Sequence, residues 1–165
     1  MICIVEMKNR GMLLEKIINQ TIAHYETYNK ALIEKKTLPV KFHKVDNKRE
    51  LSGAYVYKKS TVDYIGCVDG TFVAFEAKTT NENRLPASNI LRHQIDYLNK
   101  INTMNGIAFF IIMFSNVDEF YIINSQYLAT HWKKSWTYEE IKNAGIQIEL
   151  TYPGIIDFLP YLYSI

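Results

Sequence analysis

The sequence predicts an α/β fold, a mixed β-sheet flanked by helices. Two observations carry that expectation. Apolar residues recur at helical spacing in two long segments, and short β-branched and aromatic runs, bounded by turn residues, lie between and after them. A third is the order of elements, helix, strands, helix, strands, helices, in one chain of 165 residues. That length fits a single domain of roughly 100–200 residues.

Residues 12–36 read as one helix. Leu14, Ile17, Ile18, Ile22, Tyr25 and Leu32 fall near its period, Gly11 precedes it and Pro39 follows it. Residues 40–58 carry a basic, partly alternating stretch that reads as two short strands with a polar connection. Residues 61–68 (TVDYIGCV) and 71–78 (TFVAFEAK) read as strands, and Asp69-Gly70 between them is a strong hairpin signal. Ile90, Leu91, Gln94, Ile95, Leu98 and Ile101 put a helix over 87–104. GIAFFIIMF (106–114) reads as a fully buried strand and VDEFYIIN (117–124) as its neighbour. Short helices are expected near 125–133 and 137–143, a strand near 146–150 and a helix near 155–163. Trp132, Trp136 and the Tyr-rich tail read as core or interface.

Composition narrows the class. Hydrophobic residues make up 48% and charged residues 22%, which excludes a wholly disordered chain. The longest apolar run, Ile107–Phe114, is far short of the ~20 residues of a membrane span, so no membrane partner is expected. The start MICIVEMKNR has no secretory pattern, and the chain reads as cytoplasmic. Cys3 and Cys67 are too few for a disulfide framework or a cysteine-based zinc site. Charge is unevenly spread. Residues 1–62 carry 12 Lys/Arg against 6 Asp/Glu, and residues 63–165 carry 7 against 11. A basic first third suggests a polyanion partner. A solvated Lys-rich surface gives the same count, and Lys outnumbers Arg 15 to 4.

One constellation carries chemistry: Asp63, then Glu76-Ala77-Lys78. In a strand, residues two apart share a face, so Glu76 and Lys78 project together while Ala77 turns to the other layer. The Asp69-Gly70 hairpin folds the preceding strand back and brings Asp63 toward them. Two adjacent carboxylates repel, and a divalent cation relieves the conflict. Mg²⁺ takes oxygen ligands, as does Mn²⁺. Lys78 cannot ligate it but can stabilise charge growing on a phosphate. This is equipment for metal-assisted phosphodiester hydrolysis. Acid-x-Lys by itself is common here: Glu6/Lys8, Glu34/Lys36, Asp46/Lys48 and Glu140/Lys142 share the spacing. Only Glu76/Lys78 lies in an apolar strand; its bland reading is an ion pair at a strand end.

The segments N-R-G-M-x-L-E (9–15), S-T-V-D-Y-x-G (60–66), F-E-A-K (75–78) and H-Q-I (93–95) agree in order and spacing with one family. From about residue 9 onward the chain resembles the RecU-type Holliday-junction resolvases of low-GC Gram-positive bacteria and their phages. That resemblance implies a restriction-endonuclease-like core, whose motif is an acid followed by E-x-K. It also implies a projecting basic β stalk at about 38–59 within a single nuclease domain, 1–165.

Carried over by position, Thr61, Asp63, Glu76 and Gln94 would form the metal site for Mg²⁺ (or Mn²⁺). Lys78 would stabilise the transition state, and Glu15 would support the active site. Arg10 matches a position used for junction or recombinase contacts. In the stalk, Lys41, Lys44, Lys48, Arg49, Lys58 and Lys59 would meet phosphates, and Tyr55 and Tyr57 would stack on unpaired bases. Six such phosphate contacts imply a slope of log affinity on log salt near about −5. Taken alone, Thr61 is also an ordinary strand former and Gln94 an ordinary helix cap. His93, beside Gln94, is in reach of phosphate but reads more simply as a surface or core histidine. The sequence departs from the family in the short segment before Asn9, in the short stalk, and at Val56, where the family has an aromatic.

The expected function is a metal-dependent endonuclease that makes paired symmetric nicks in four-way DNA junctions during recombination and repair. A C2 homodimer presents two equivalent sites to a junction of near two-fold symmetry. Further expected partners are a RecA-type recombinase and the branch-migration machinery. Two alternatives share the motif: a structure-selective nuclease acting on ends or flaps, and a branched-DNA-binding modulator of recombinase that does not cleave.

Overall fold

The computed structural model describes residues 3–45 and 51–165. In chain order these form α1 (Cys3–Thr27), β1 (Leu32–Lys35), β2 (Val40–Lys41), β3 (Lys44–Val45), β4 (Leu51–Ser52), β5 (Tyr55–Val56), β6 (Tyr64–Val68), β7 (Thr71–Thr80) and β8 (Arg84–Pro86). There follow α2 (Arg92–Thr103), β9 (Ile107–Phe114), β10 (Glu119–Asn124), α3 (Ser125–Thr130), β11 (Ser135–Thr137), α4 (Tyr138–Ala144), β12 (Ile146–Ile148), β13 (Leu150–Thr151) and β14 (Ile155–Ile156).

A mixed six-stranded sheet, in the order β1-β6-β7-β9-β10-β12, forms the centre. Only β7 and β9 run parallel, and α2 makes the crossover a parallel pair needs. β6 and β7 form a hairpin whose turn, Asp69-Gly70, has φ of 49° and 79° at its two residues. Asn, Asp and Gly tolerate that left-handed conformation, so the turn chemistry selects the hairpin.

Each face of the sheet has its own core. On one face Leu14, Ile18 and Tyr25 of α1 meet Tyr64, Phe75, Phe109 and Phe158, all buried. On the other Ile95 and Leu98 of α2 meet Ala74, Phe110, Ile112 and Trp136. The alternation along β7 follows: Phe75 and Ala77 lie toward α1, Ala74 toward α2. Trp136 is fully buried, whereas Trp132 is 40% exposed.

Three expectations are corrected. The first helix ends at Thr27 rather than at residue 36. Asn29 takes a left-handed φ of 52°, and Lys30 N–H returns to the Tyr25 carbonyl at 2.8 Å, which closes the helix end. Leu32–Lys35 is then free to pair antiparallel with β6 at the sheet edge. The helix also starts earlier, so Gly11 lies inside it. Second, the tail is not a helix over 155–163. Ile155–Ile156 pairs with β13, and only a 3₁₀ turn, Leu159–Tyr161, follows. Pro160 has no N–H for a longer helix. Third, the strand expected over 61–68 begins at Tyr64, so Thr61 and Asp63 lie just before it. The small β8–β11 sheet was not foreseen in the sequence; Trp136 of β11 closes the α2-side core.

Between β1 and β6 the chain makes two short antiparallel ladders apart from the central sheet. β2 pairs with β5 (Lys41 opposite Tyr55) and β3 with β4 (Lys44 opposite Ser52).

Candidate active site

The site forms where the β6–β7 ladder stops. The register pairs Tyr64 with Phe75, which puts Asp63 opposite Glu76. At that step carboxylates replace the backbone ladder. Asp63 N–H donates to Glu76 Oε2 at 3.1 Å, and Ala77 N–H donates to Asp63 Oδ2 at 3.1 Å. Each acid caps the other strand's amide, which parts the strands and fixes both carboxylates at the opening. β7 continues past this point, held on its other edge by β9.

Lys78 Nζ donates to Glu76 Oε1 at 2.8 Å, and the two side chains are 16% and 2% exposed. Glu76 is buried and Lys78 partly buried, so this is not a surface ion pair. Burial is the largest influence on Glu76 and pushes its carboxyl up to about 7. Lys78 opposes that shift and Asp63 adds to it.

Gln94 reaches this carboxylate from α2. Its carbonyl oxygen accepts from Leu91 N–H at 3.1 Å, capping the helix start, and its amide group donates to Glu76 Oε1. One residue earlier, His93 Nε2 lies 3.0 Å from the Ser60 carbonyl. The N-terminal turn of α2 thus holds both the strand acid and the segment leading to Asp63.

Thr61 is tied from the opposite side. Lys36 Nζ donates to Thr61 Oγ1 at 2.6 Å, and Lys36 N–H extends the β1 pairing to the Asp63 carbonyl at 2.7 Å. Glu15 approaches from α1. With Leu14, Lys35, Asp63, Tyr64 and Ala77 it lines a cleft of about 90 Å³, and it is paired with Lys35. The structure therefore gathers Glu76, Lys78 and Gln94 on the α2 side, with Asp63 at the opening beside Glu76 and facing Glu15 across the cleft, and Thr61 at the rim. In sequence Lys36 falls at the end of the helix expected over 12–36; Asn29, which ends that helix in the structure, is the signal that places Lys36 after β1 instead.

The stalk residues are exposed. Lys41 Nζ lies 4.8 Å and Lys58 Nζ 5.5 Å from the centroid of the Tyr57 ring, which they flank. Tyr55 and Tyr57 are about half exposed, as is Val56. Lys44 and Lys59 are exposed as well. Arg10 falls on α1, but its side chain lies outside the described residues, as do Lys48 and Arg49. Among the described residues no cluster of three or more His, Cys, Asp or Glu is poised for a metal. The donor set is two carboxylates with neutral oxygens near them.

The split sheet with acids at its opening defines a restriction-endonuclease-like fold. The chain is similar in structure to Archaeoglobus fulgidus Hjc, described as a Holliday junction resolvase from an archaeal hyperthermophile. The TM-score is 0.52 at 12% identity, over 81% of this chain and 94% of that one. Residues 9–164 match the family described as RecU, recombination protein U. A protein of Mycoplasmopsis pulmonis named Holliday junction resolvase RecU is 46% identical over 158 residues, 96% of each chain. One of the same name from Bacillus cereus is 36% identical over 169 residues, 95% of this chain and 84% of that one. The chain belongs to the RecU family.

Proposed function

We propose that this chain is a Holliday-junction resolvase, a metal-dependent endodeoxyribonuclease that nicks four-way junctions in paired, symmetric fashion in recombination and repair. The observation that carries this reading is the convergence of Asp63, Glu76, Lys78 and Gln94 at the β6–β7 opening in a member of the RecU family.

The residues fit a hard divalent cation. Two carboxylates meet at the opening, one buried and raised to about 7, with Lys78 the cation bonded to it. With both carboxylates ionised, one ammonium leaves the site net negative, and its oxygen donors suit Mg²⁺, with Mn²⁺ an alternative. Asp63 and Glu76 would hold the ion, with Thr61 beside them. A bound divalent ion supplies Lewis acidity and a nucleophile at neutral pH.

The chain's own residues do the rest. Lys78, fixed by Glu76, offers its ammonium to charge that builds on the phosphate. Gln94 keeps Glu76 oriented; ligation by its own oxygen requires that oxygen to leave Leu91 N–H. Glu15, across the cleft, adds negative charge near Asp63. The stalk supplies the DNA surface: Lys41, Lys44, Lys58 and Lys59 for phosphates, Tyr55 and Tyr57 for unpaired bases, with Lys48, Arg49 and Arg10 assigned from sequence alone. The working form is a cytoplasmic C2 homodimer, acting with a RecA-type recombinase and the branch-migration machinery.

The test is cleavage of an end-labelled immobile junction with Mg²⁺, Mn²⁺ or EDTA, against excess linear duplex. A resolvase cuts the junction only with metal and continues cutting under competition. Equal loss to linear duplex indicates an end or flap nuclease, and binding without nicks in either metal indicates a branched-DNA-binding protein.

A further inference from the structure

We propose that Lys36 is a phosphate-binding residue of this site, placed by edge strand β1 to contact the DNA backbone at the rim beside Thr61 and Asp63; the inference rests on the resolvase reading. Its backbone is locked, because Lys36 N–H donates to the Asp63 carbonyl at 2.7 Å. Its ammonium is aimed at the opening, donating to Thr61 Oγ1 at 2.6 Å and standing 5.7 Å from the centroid of the Tyr97 ring.

The partners of this ammonium carry no charge. Lys35 is paired with Glu15 and Lys78 with Glu76, but among the described residues no carboxylate pairs with Lys36. Lys36 is half-buried, so water screens it less than an open surface lysine. A hydroxyl uses one of the three ammonium donors, and the ring face adds a weak attraction. The remaining donors and the uncompensated charge call for an anion. Beside Thr61 and Asp63, the anion the reaction supplies is a backbone phosphate at or next to the bond being cut. Lys78 differs, since Glu76 already neutralises it deeper in the site.

The test is junction binding in EDTA across a salt series, for the full-length wild type and for Lys36→Met, Lys36→Gln and Lys36→Arg. Gln keeps a donor for Thr61 without the charge; Arg keeps the charge. Met and Gln should weaken binding severalfold and reduce the slope of log affinity on log salt by about 0.9, one phosphate contact. Arg should restore most of the slope. Wild-type slope and affinity in Lys36→Gln overturn the proposal, reducing Lys36 to a prop for Thr61. If Met fails to fold, the Gln and Arg pair decides. A wild type that binds no junction removes the resolvase reading itself and this inference with it.

Discussion

Burial of Glu76 makes the site sensitive to pH when no metal is bound. Its carboxyl holds its proton up to about 7 in the folded state and releases it near 4.5 when free. Between those values the folded protein keeps a proton the unfolded chain has lost. The stabilising contribution of this group is therefore complete below about 4.5 and is lost as pH rises through about 7. In EDTA, Glu76→Gln should exceed wild type in stability at pH 8, by up to about 3 kcal/mol, and lose that advantage near pH 4.5. Urea unfolding at the two pH values measures it; a wild type more stable at pH 8 contradicts it. Mg²⁺ should raise the melting temperature of wild type and not of Glu76→Gln, because a ligand that binds only the folded state stabilises it. Alternation along a strand was enough to read Glu76 and Lys78 together from the sequence. The grip of Gln94 on Glu76 was not readable, since helical spacing gives a face but not what that face touches. The same holds for Lys36, whose role depends on a side-chain contact with Thr61, 25 residues away in sequence.

At the scale of elements, β1 is the piece on which the rim depends. It fits only because β6 has a glycine there: a Cβ on Gly66 would stand 2.3 Å from the Leu32 carbonyl oxygen and 2.7 Å from Ile33 Cα. Gly66→Ala should cost about 1–3 kcal/mol by overpacking. It should also slow junction cleavage at temperatures where the protein stays folded, because Lys36 and Thr61 shift with β1. Thermal unfolding and single-turnover cleavage check the two parts, and unchanged stability contradicts the first. In the stalk, Tyr57→Ala should weaken junction binding by about 1–3 kcal/mol while sparing linear duplex, if Tyr57 stacks on an unpaired base. Competition binding with the two DNAs decides. The hairpin and the long buried strand were legible because turn chemistry and apolar runs act locally. The end of α1 was missed because Leu32 falls nearly in helical phase, while Asn29 stops the helix through its backbone. The tail was missed because its apolar spacing suits a helix that Pro160 prevents.

For the whole molecule, the basic stretch builds its own ladders apart from the central sheet, while Asp63 and Glu76 stand at the sheet's opening. One such body holds one site, and two symmetric nicks need two. Sedimentation equilibrium should therefore give a dimer near twice 19.3 kDa, and a monomer that nevertheless makes paired nicks contradicts the symmetric mechanism. Lys78, fixed by buried Glu76, is proposed to perform chemistry rather than binding. The most direct test places wild type beside Lys78→Ala on a four-way junction labelled on each strand in turn, with Mg²⁺. Wild type should make paired nicks at symmetric positions. Lys78→Ala should cleave about 100-fold or more slowly with junction affinity nearly unchanged. Cleavage by Lys78→Ala at the wild-type rate, or loss of binding and cleavage together, would contradict this role for Lys78.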